Sequence, residues 1–337
     1  MEFSAPPTAE NIKKYIKTIS KEHPCSKTFF IGKSVLGRKI PVLSLGKPSG
    51  SLLFGGATHG SEGLTALVLF RFFDEVCSAF EHGKTLCGIN IGPALAKRGF
   101  CVIPVLNPDG TEINLNGKKG ALSSGNHIER LSKGDYSHWN ANAKGVDLNH
   151  NFGAGWDLLH EEERKNGIFG PAPKQYGGPK AFSEPETRAV CGFCSTFDVK
   201  QLYSFHSQGE EIYWYYGTKT PIISRDIAEE FAFACGYKTA FPKGMASHGG
   251  LKDWYIEKFG RPGFTVEIGL GENPLPLSDL DEIYNKLRPA LAKALVMYNK
   301  KYSPKGNGFC ASRRMTVICH CKPAAVGCGN PFPFLGI

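Results

Sequence analysis

Four short apolar runs, at 51–54, 101–106, 201–206 and 263–269, each lead into glycine-rich or polar sequence. Between them lie stretches whose apolar residues recur at helical spacing, notably 64–80, 224–235 and 277–301. Continuous apolar runs of this length read as strands buried on both faces, and the intervening periodicity reads as amphipathic helix. Strands alternating with helices predict one α/β domain with a mixed, mostly parallel twisted sheet and helices on both faces. Such sheets present ligand sites at the carboxyl ends of their strands. In this chain the polar residues cluster at or just after those ends.

The remaining elements follow in order. Residues 8–22 carry Ile12, Tyr15, Ile16 and Ile19 between lysines and predict an amphipathic helix. Residues 29–32 and 40–45 predict two strands joined through Gly37. Asn107-Pro108-Asp109-Gly110 reads as a turn opening a long loop over 111–145. Residues 145–152 predict a brief strand, and 153–182 an irregular stretch. Ser183-Glu184-Pro185-Glu186 predicts a capped helix start with Ser183 as the cap. Further helices are expected over 249–259 and from Leu277 onward, the latter capped by Ser278.

The chain has 337 residues, 41% hydrophobic and 21% charged, enough for a sizeable core. The catalytic domain is expected over 1–302. Residues 303–337, rich in Gly, Pro and Cys, are expected to form a disordered tail that carries +4 of the +9 net charge. Cys319, His320, Cys321 and Cys328 match no common zinc module. The other charge is mild, and no nucleic-acid-binding motif accompanies it. No apolar run is long enough to span a bilayer. The first residues lack a secretory layout, and the 11 scattered cysteines fit reduced thiols, so a cytoplasmic chain is expected.

His59 and Glu62 lie where the 51–54 strand passes to the 64–80 helix, so both can turn toward one point. With His206 they make a two-nitrogen, one-carboxylate set. Such a set holds zinc and leaves a position for water, whose pKa the zinc lowers to about 7. It could also accept cobalt or manganese. Glu267, a lone acid in an apolar strand, is a candidate general base or else an ordinary strand acid facing solvent.

Five segments then occur in order: His59-Gly60-Ser61-Glu62, Asn107-Pro108-Asp109-Gly110, Gly145-Val146-Asp147-Leu148-Asn149, Ser204-Phe205-His206-Ser207-Gln208-Gly209 and Phe264-Thr265-Val266-Glu267. Together they resemble the zinc carboxypeptidase family of metallopeptidases, over about residues 8–302. Tyr213-Trp214-Tyr215-Tyr216-Gly217 and the segment from Gly269 to Pro276 resemble its bacterial branch that cleaves γ-D-glutamyl-diaminopimelate bonds. So does Tyr176-Gly177-Gly178-Pro179 leading into Ser183.

The resemblance implies one zinc per chain on His59, Glu62 and His206, with Glu267 as base and proton shuttle. It implies a peptide substrate, a cell-wall muropeptide, and neither nucleic acid nor membrane as partner. The family usually carries Asp-x-Asn-Arg, whose Arg grips the substrate carboxylate; here His150 follows Asn149. Asn149 and His150 are therefore substrate-side candidates. Lys144 or Arg130 could stand in for a carbonyl-polarising Arg. His248 is either a substitute for the family's tyrosine donor or a solvated loop histidine. Two other functions remain open: a zinc amidohydrolase on N-acyl amino acids, and a zinc-bound peptide-binding protein with weakened catalysis.

Overall fold

The computed structural model describes residues 3–297. The expected tail over 303–337 lies outside the described residues. Among the described residues eight strands form one sheet: β1 Ser26–Lys33, β2 Lys39–Leu45, β3 Leu52–Gly55, β4 Phe100–Ile103, β5 Gln201–His206, β6 Glu211–Tyr213, β7 Lys238–Ala240 and β8 Gly263–Glu267. Their spatial order is β1-β2-β4-β3-β5-β8-β6-β7. The four central strands, β4, β3, β5 and β8, run parallel. Antiparallel pairings carry the sheet outward through β2 on one side and β6 on the other. The mixed, mostly parallel sheet expected from the sequence is present.

Ten helices among the described residues accompany it: α1 Ala9–Glu22, α2 Gly63–Glu81, α3 Gly92–Leu95, α4 Pro108–Gly120, α5 Gly125–Ser132, α6 Trp156–Lys165, α7 Pro185–Thr196, α8 Ile223–Cys235, α9 Leu251–Phe259 and α10 Leu280–Met297. The strand pleat sorts the core into two layers. Leu52 and Phe54 of β3, Phe100 and Val102 of β4, and Tyr203 and Phe205 of β5 pack with α1, α2, α8 and α10. The alternate residues Leu53, Cys101, Ile103 and Leu202 pack with α7 and α9. Both faces of the central strands are buried, which explains their unbroken apolar character.

Several local expectations are corrected. The segment 111–145 is not one loop, because it holds most of α4 and all of α5. Asn107 is the N-cap of α4, its side-chain oxygen accepting from Gly110 N at 2.8 Å, with Pro108 at the first position. The turn signature is therefore a helix start. Residues 145–152 form no strand but a short 3-10 turn over Leu148–His150, because Asp147 folds back to accept from Asn149 N. Residues 153–182 contain α6, anchored by Leu159 and by the fully buried Glu163. Ser183 does not cap α7; Glu184 occupies that position, and the Ser183 hydroxyl bonds its carboxylate. A 3-10 turn, Leu277–Asp279, precedes α10, and the Ser278 hydroxyl bonds only Asp279. Among the described residues no helix is long and apolar enough to cross a membrane.

Candidate metal centre

The ligand loop is fixed from three directions. Gly60 is packed so closely that a Cβ there would lie 2.4 Å from the Gly110 carbonyl oxygen and 2.5 Å from that of Trp139. Only glycine permits that approach without displacing backbone. Asn107 donates its amide to the carbonyls of Thr58 and Asn140, both at 3.1 Å. The Ser61 hydroxyl donates to Asn140 Oδ1 at 2.5 Å. Thr65 accepts from Ala57 N and donates to the Glu62 carbonyl, so the first turn of α2 is tied to the end of β3. Glu62 is the N-cap residue of α2, yet its side chain caps nothing. It turns instead toward two imidazoles.

His59 Nδ1 lies 2.8 Å from Glu62 Oε1, His206 Nδ1 lies 3.0 Å from Glu62 Oε2, and the two Nδ1 atoms are 3.3 Å apart. One donor atom from each residue lies within 4.8 Å of the other two. His59 comes from the loop after β3, Glu62 from the start of α2 and His206 from the end of β5. Burial pushes the Glu62 carboxyl up, but the His59 and His206 imidazoles outweigh it and hold it down to about 2. Burial disfavours a charged His59, but the carboxylates of Glu62 and Asp147 more than offset this and raise its pKa well above the ordinary range.

The outer nitrogens are also held. His59 Nε2 meets Asp147 Oδ1 at 3.1 Å, and His206 Nε2 meets the Ser204 hydroxyl at 3.1 Å. Asp147 is itself positioned by the backbone N–H groups of Asn149 and Gln175. Such partners fix which ring nitrogen faces an ion and in what orientation. Two imidazoles and an ionised carboxylate, gathered this closely and held from behind, fit the donor set of zinc. Asp147, Ser204, Asn107 and Asn140 had no assigned role from sequence. The signal for Asp147 was its place two residues before Asn149, in a segment that already carried the resemblance.

Glu267 ends β8 and is paired in register with His206 of β5. It is half-buried. Burial, with the negative charge of Glu62 added, pushes its carboxyl well above the ordinary range, against the opposing pull of His59.

The other sequence candidates are scattered. Asn149 bonds Asp147 through its backbone and accepts from Leu251 N at 3.1 Å through its side chain. His150 is buried, with Nδ1 3.1 Å from the Gln175 carbonyl and 3.3 Å from Glu163 Oε1. Lys144 is exposed, its ammonium 3.4 Å from Glu184. Arg130 is exposed on α5. His248 is half-buried, with Nδ1 3.1 Å from the Tyr216 hydroxyl. None of these side chains has a direct hydrogen bond to His59, Glu62 or His206 among the described residues.

The profile of the zinc carboxypeptidase family matches residues 12–290. The chain belongs to that family. It is therefore a hydrolase. The zinc carboxypeptidase fold recurs in bovine thrombin-activatable fibrinolysis inhibitor, solved with tick carboxypeptidase inhibitor. The TM-score is 0.67 at 20% identity, covering 88% of this chain and 98% of that one. Among sequence relatives, gamma-D-glutamyl-L-diamino acid endopeptidase 1 of Lysinibacillus sphaericus is 32% identical over 277 residues, which is 80% of this chain and 67% of the relative. Uncharacterized protein YqgT of Bacillus subtilis (strain 168) is 31% identical over 291 residues, 85% of this chain and 76% of the relative. Human carboxypeptidase B is 24% identical, over 77% of this chain and 62% of the relative.

Proposed function

We propose that this zinc carboxypeptidase family member hydrolyses the γ-D-glutamyl–diaminopimelate amide of peptidoglycan-derived peptides. The observation that carries the reading is the convergence of His59, Glu62 and His206 at the carboxyl ends of β3 and β5, with Glu267 ending the neighbouring β8. The substrate class is supported by the likeness to the Lysinibacillus endopeptidase.

His59, Glu62 and His206 would hold one zinc per chain. When bound, zinc supplies a Lewis acid that acidifies the attacking water and polarises the scissile carbonyl. Glu267 takes a proton from that water and later delivers it to the leaving amine. Its raised affinity for protons, caused by burial and by Glu62, suits a group that must both accept and return one. Asp147 holds His59 in the tautomer that directs Nδ1 toward the ion.

On the substrate side, His150 and Asn149 are assigned to the free carboxylate beside the diamino acid. His150 Nδ1 faces a carbonyl acceptor, so it carries the hydrogen and Nε2 is left for substrate. His248, aligned by Tyr216, is assigned as a donor at the same cleft. Lys144 must leave Glu184 to reach the carbonyl, and that is the step its assignment requires. The seven described cysteines are all free thiols, which supports action in a reducing compartment.

The test is metal content and hydrolysis of L-Ala-γ-D-Glu-diaminopimelate, beside Glu267→Gln. One zinc at this site, cleavage at the γ-glutamyl bond, and a fall of at least about 100-fold in kcat with zinc retained in the variant are expected. Cleavage of N-acyl amino acids instead would move the assignment to a deacylase. Zinc and peptide binding without cleavage of either substrate would move it to a binding role. A chain that takes up no zinc at His59, Glu62 and His206 would overturn the mechanism.

A further inference from the structure

Where the end of α1 meets one face of α2, an imidazole and several carboxylates gather. Asp74 lies twelve residues along α2 from Glu62, roughly 18 Å at 1.5 Å per residue, so this group is distinct from the catalytic cluster. Glu22 closes α1 and His23 is its C-cap, the His23 N–H donating to the Ile19 carbonyl at 2.9 Å. The His23 carbonyl accepts from Ser26 N at 3.0 Å and from the Ser26 hydroxyl at 2.8 Å. The backbone under the ring is thereby held on both sides. Asp74 and Glu81 stand about two turns apart on α2, on the same face.

His23 is buried, with Nε2 3.0 Å from Asp74 Oδ1 and Nδ1 2.9 Å from Glu81 Oε2. Glu81 is fixed in turn, its other oxygen accepting from Cys25 N at 3.1 Å. The catalytic cluster has the same plan: one nitrogen of His59 faces Glu62 inside the cluster, and the other is backed by Asp147. One donor atom from each of Glu22, His23 and Asp74 lies within 4.8 Å of the other two. Glu22 is exposed and Asp74 half-buried, so the group opens to water. Three carboxylates, Glu22, Asp74 and Glu81, stand around one imidazole, and even a protonated ring leaves them in excess. Burial disfavours a charged ring, yet Glu81 and Asp74 outweigh it and raise its pKa.

We propose that Glu22, His23 and Asp74 form a second metal site, for an exchangeable divalent ion of the manganese or zinc class, with Glu81 orienting the His23 ring. His23 Nε2 and one oxygen from each of Glu22 and Asp74 supply three donors, and water completes the shell from the open side. Donors around such an ion, with bonds near 2.1 Å, sit roughly 3 to 3.5 Å apart, so the exposed Glu22 side chain closes the group by moving about 1.5 Å. Glu81 on the far nitrogen is the carboxylate that commonly accompanies a ligating histidine. The incoming ion displaces the proton between Nε2 and Asp74 and offsets the surplus of negative charge. Bound there, it ties the end of α1 to α2. The group is invisible in the sequence, because Asp74 and Glu81 lie 51 and 58 residues from His23.

The experiment titrates manganese(II) into the full chain after a chelator has stripped it, and reads the free ion by its electron paramagnetic resonance signal. Manganese prefers oxygen and imidazole to thiols, so the cysteines do not compete for it. The comparison is with the double variant Glu22→Gln, Asp74→Asn. The parent should bind one manganese per chain more than the variant. Any ion held by His59, Glu62 and His206 is common to both proteins and drops out of the difference, so the result does not depend on the catalytic reading. Equal uptake by the two proteins overturns the site, and so does a parent that binds no manganese. If the double variant does not fold, Glu22→Gln alone decides, since that side chain is exposed: affinity should fall severalfold, and an unchanged affinity overturns the site. Glu81→Gln keeps all three ligands and should weaken binding about 10-fold or more. Affinity equal to the parent would overturn its orienting role.

Discussion

His206 and Glu267 are register partners at the carboxyl ends of the adjacent parallel strands β5 and β8. Residues so paired leave the sheet on the same side. A candidate ligand and a candidate base are thereby set beside each other by backbone pairing alone. On its other flank Glu267 is paired with Glu211 of the antiparallel β6, and the Tyr213 hydroxyl donates to Glu211 at 2.7 Å. The base therefore stands between a histidine and an acid.

That position has a consequence for pH. A general base acts when ionised, so kcat/KM should rise with pH through the Glu267 pKa. Glu211 adds to the forces that raise that pKa, after burial and Glu62. Replacing it by Gln removes a negative neighbour and favours the ionised form. Glu211→Gln should move the acid limb of the kcat/KM profile to lower pH. The charge of a bound ion shifts parent and variant alike and leaves the direction intact. An unmoved limb would mean that another group limits the rate.

The Asp147–His59 contact should matter for metal affinity more than for folding. Asp147→Asn keeps the shape and an acceptor oxygen but removes the charge that favours the N–H on Nε2 of His59. Zinc affinity, measured by competition with a chelator, should fall about 10- to 100-fold. The circular dichroism spectrum should be unchanged. Affinity equal to the parent would show that Asp147 serves the loop through Gln175 N and Asn149 N only.

The parts of this fold that the sequence made visible are those buried on both sides. β3, β4, β5 and β8 read clearly because no residue in them has to face water. The short β6 and β7 carry Glu211 and Lys238 at their starts and have no such run, so they were missed. α4 was hidden because its first residues, Asn107-Pro108-Asp109-Gly110, serve equally as a turn and as a helix start. The 145–152 segment imitated a strand because Val146 and Leu148 alternate with polar residues, yet they are buried by surrounding loops, not by pairing. Within the site, His59, Glu62 and His206 were legible because each follows or ends an apolar strand. The hold of Asp147 on His59 spans 88 residues and exists only after folding. The commitment of His150 to Glu163 was equally invisible, since α6 was itself unread.

His150 makes a separate prediction. Its Nδ1–H is directed at the Gln175 carbonyl, so Nε2 is the ring atom left for a substrate carboxylate, and it offers at most a single hydrogen bond. His150→Arg supplies a permanent charge and a bidentate fork, and should lower KM for a substrate with a free carboxylate and increase kcat/KM. A KM unchanged in the variant would place the substrate carboxylate elsewhere.

Glu186 governs a different pH effect, on stability. Its carboxylate accepts from Val35 N at 3.0 Å and lies near Asn142, fully buried in the neighbourhood of Glu184 and Asp109. Burial comes first among the causes, and the two nearby acids add to it, pushing the carboxyl from an ordinary 4.5 to about 7. A raised folded-state pKa means that the native chain holds a proton that the unfolded chain has released. Stability from this group is fully present below the unfolded value and declines as pH rises toward the folded one. Between pH 5 and 8 the decline should be about 2.5 kcal/mol at 1.36 kcal/mol per unit. Glu186→Gln, which mimics the protonated form, should lack this component. Urea unfolding of both proteins at several pH values provides the comparison. Parallel pH dependences would show that Glu186 is ionised in the native state throughout, with its charge carried by neighbours such as Lys144 acting through Glu184.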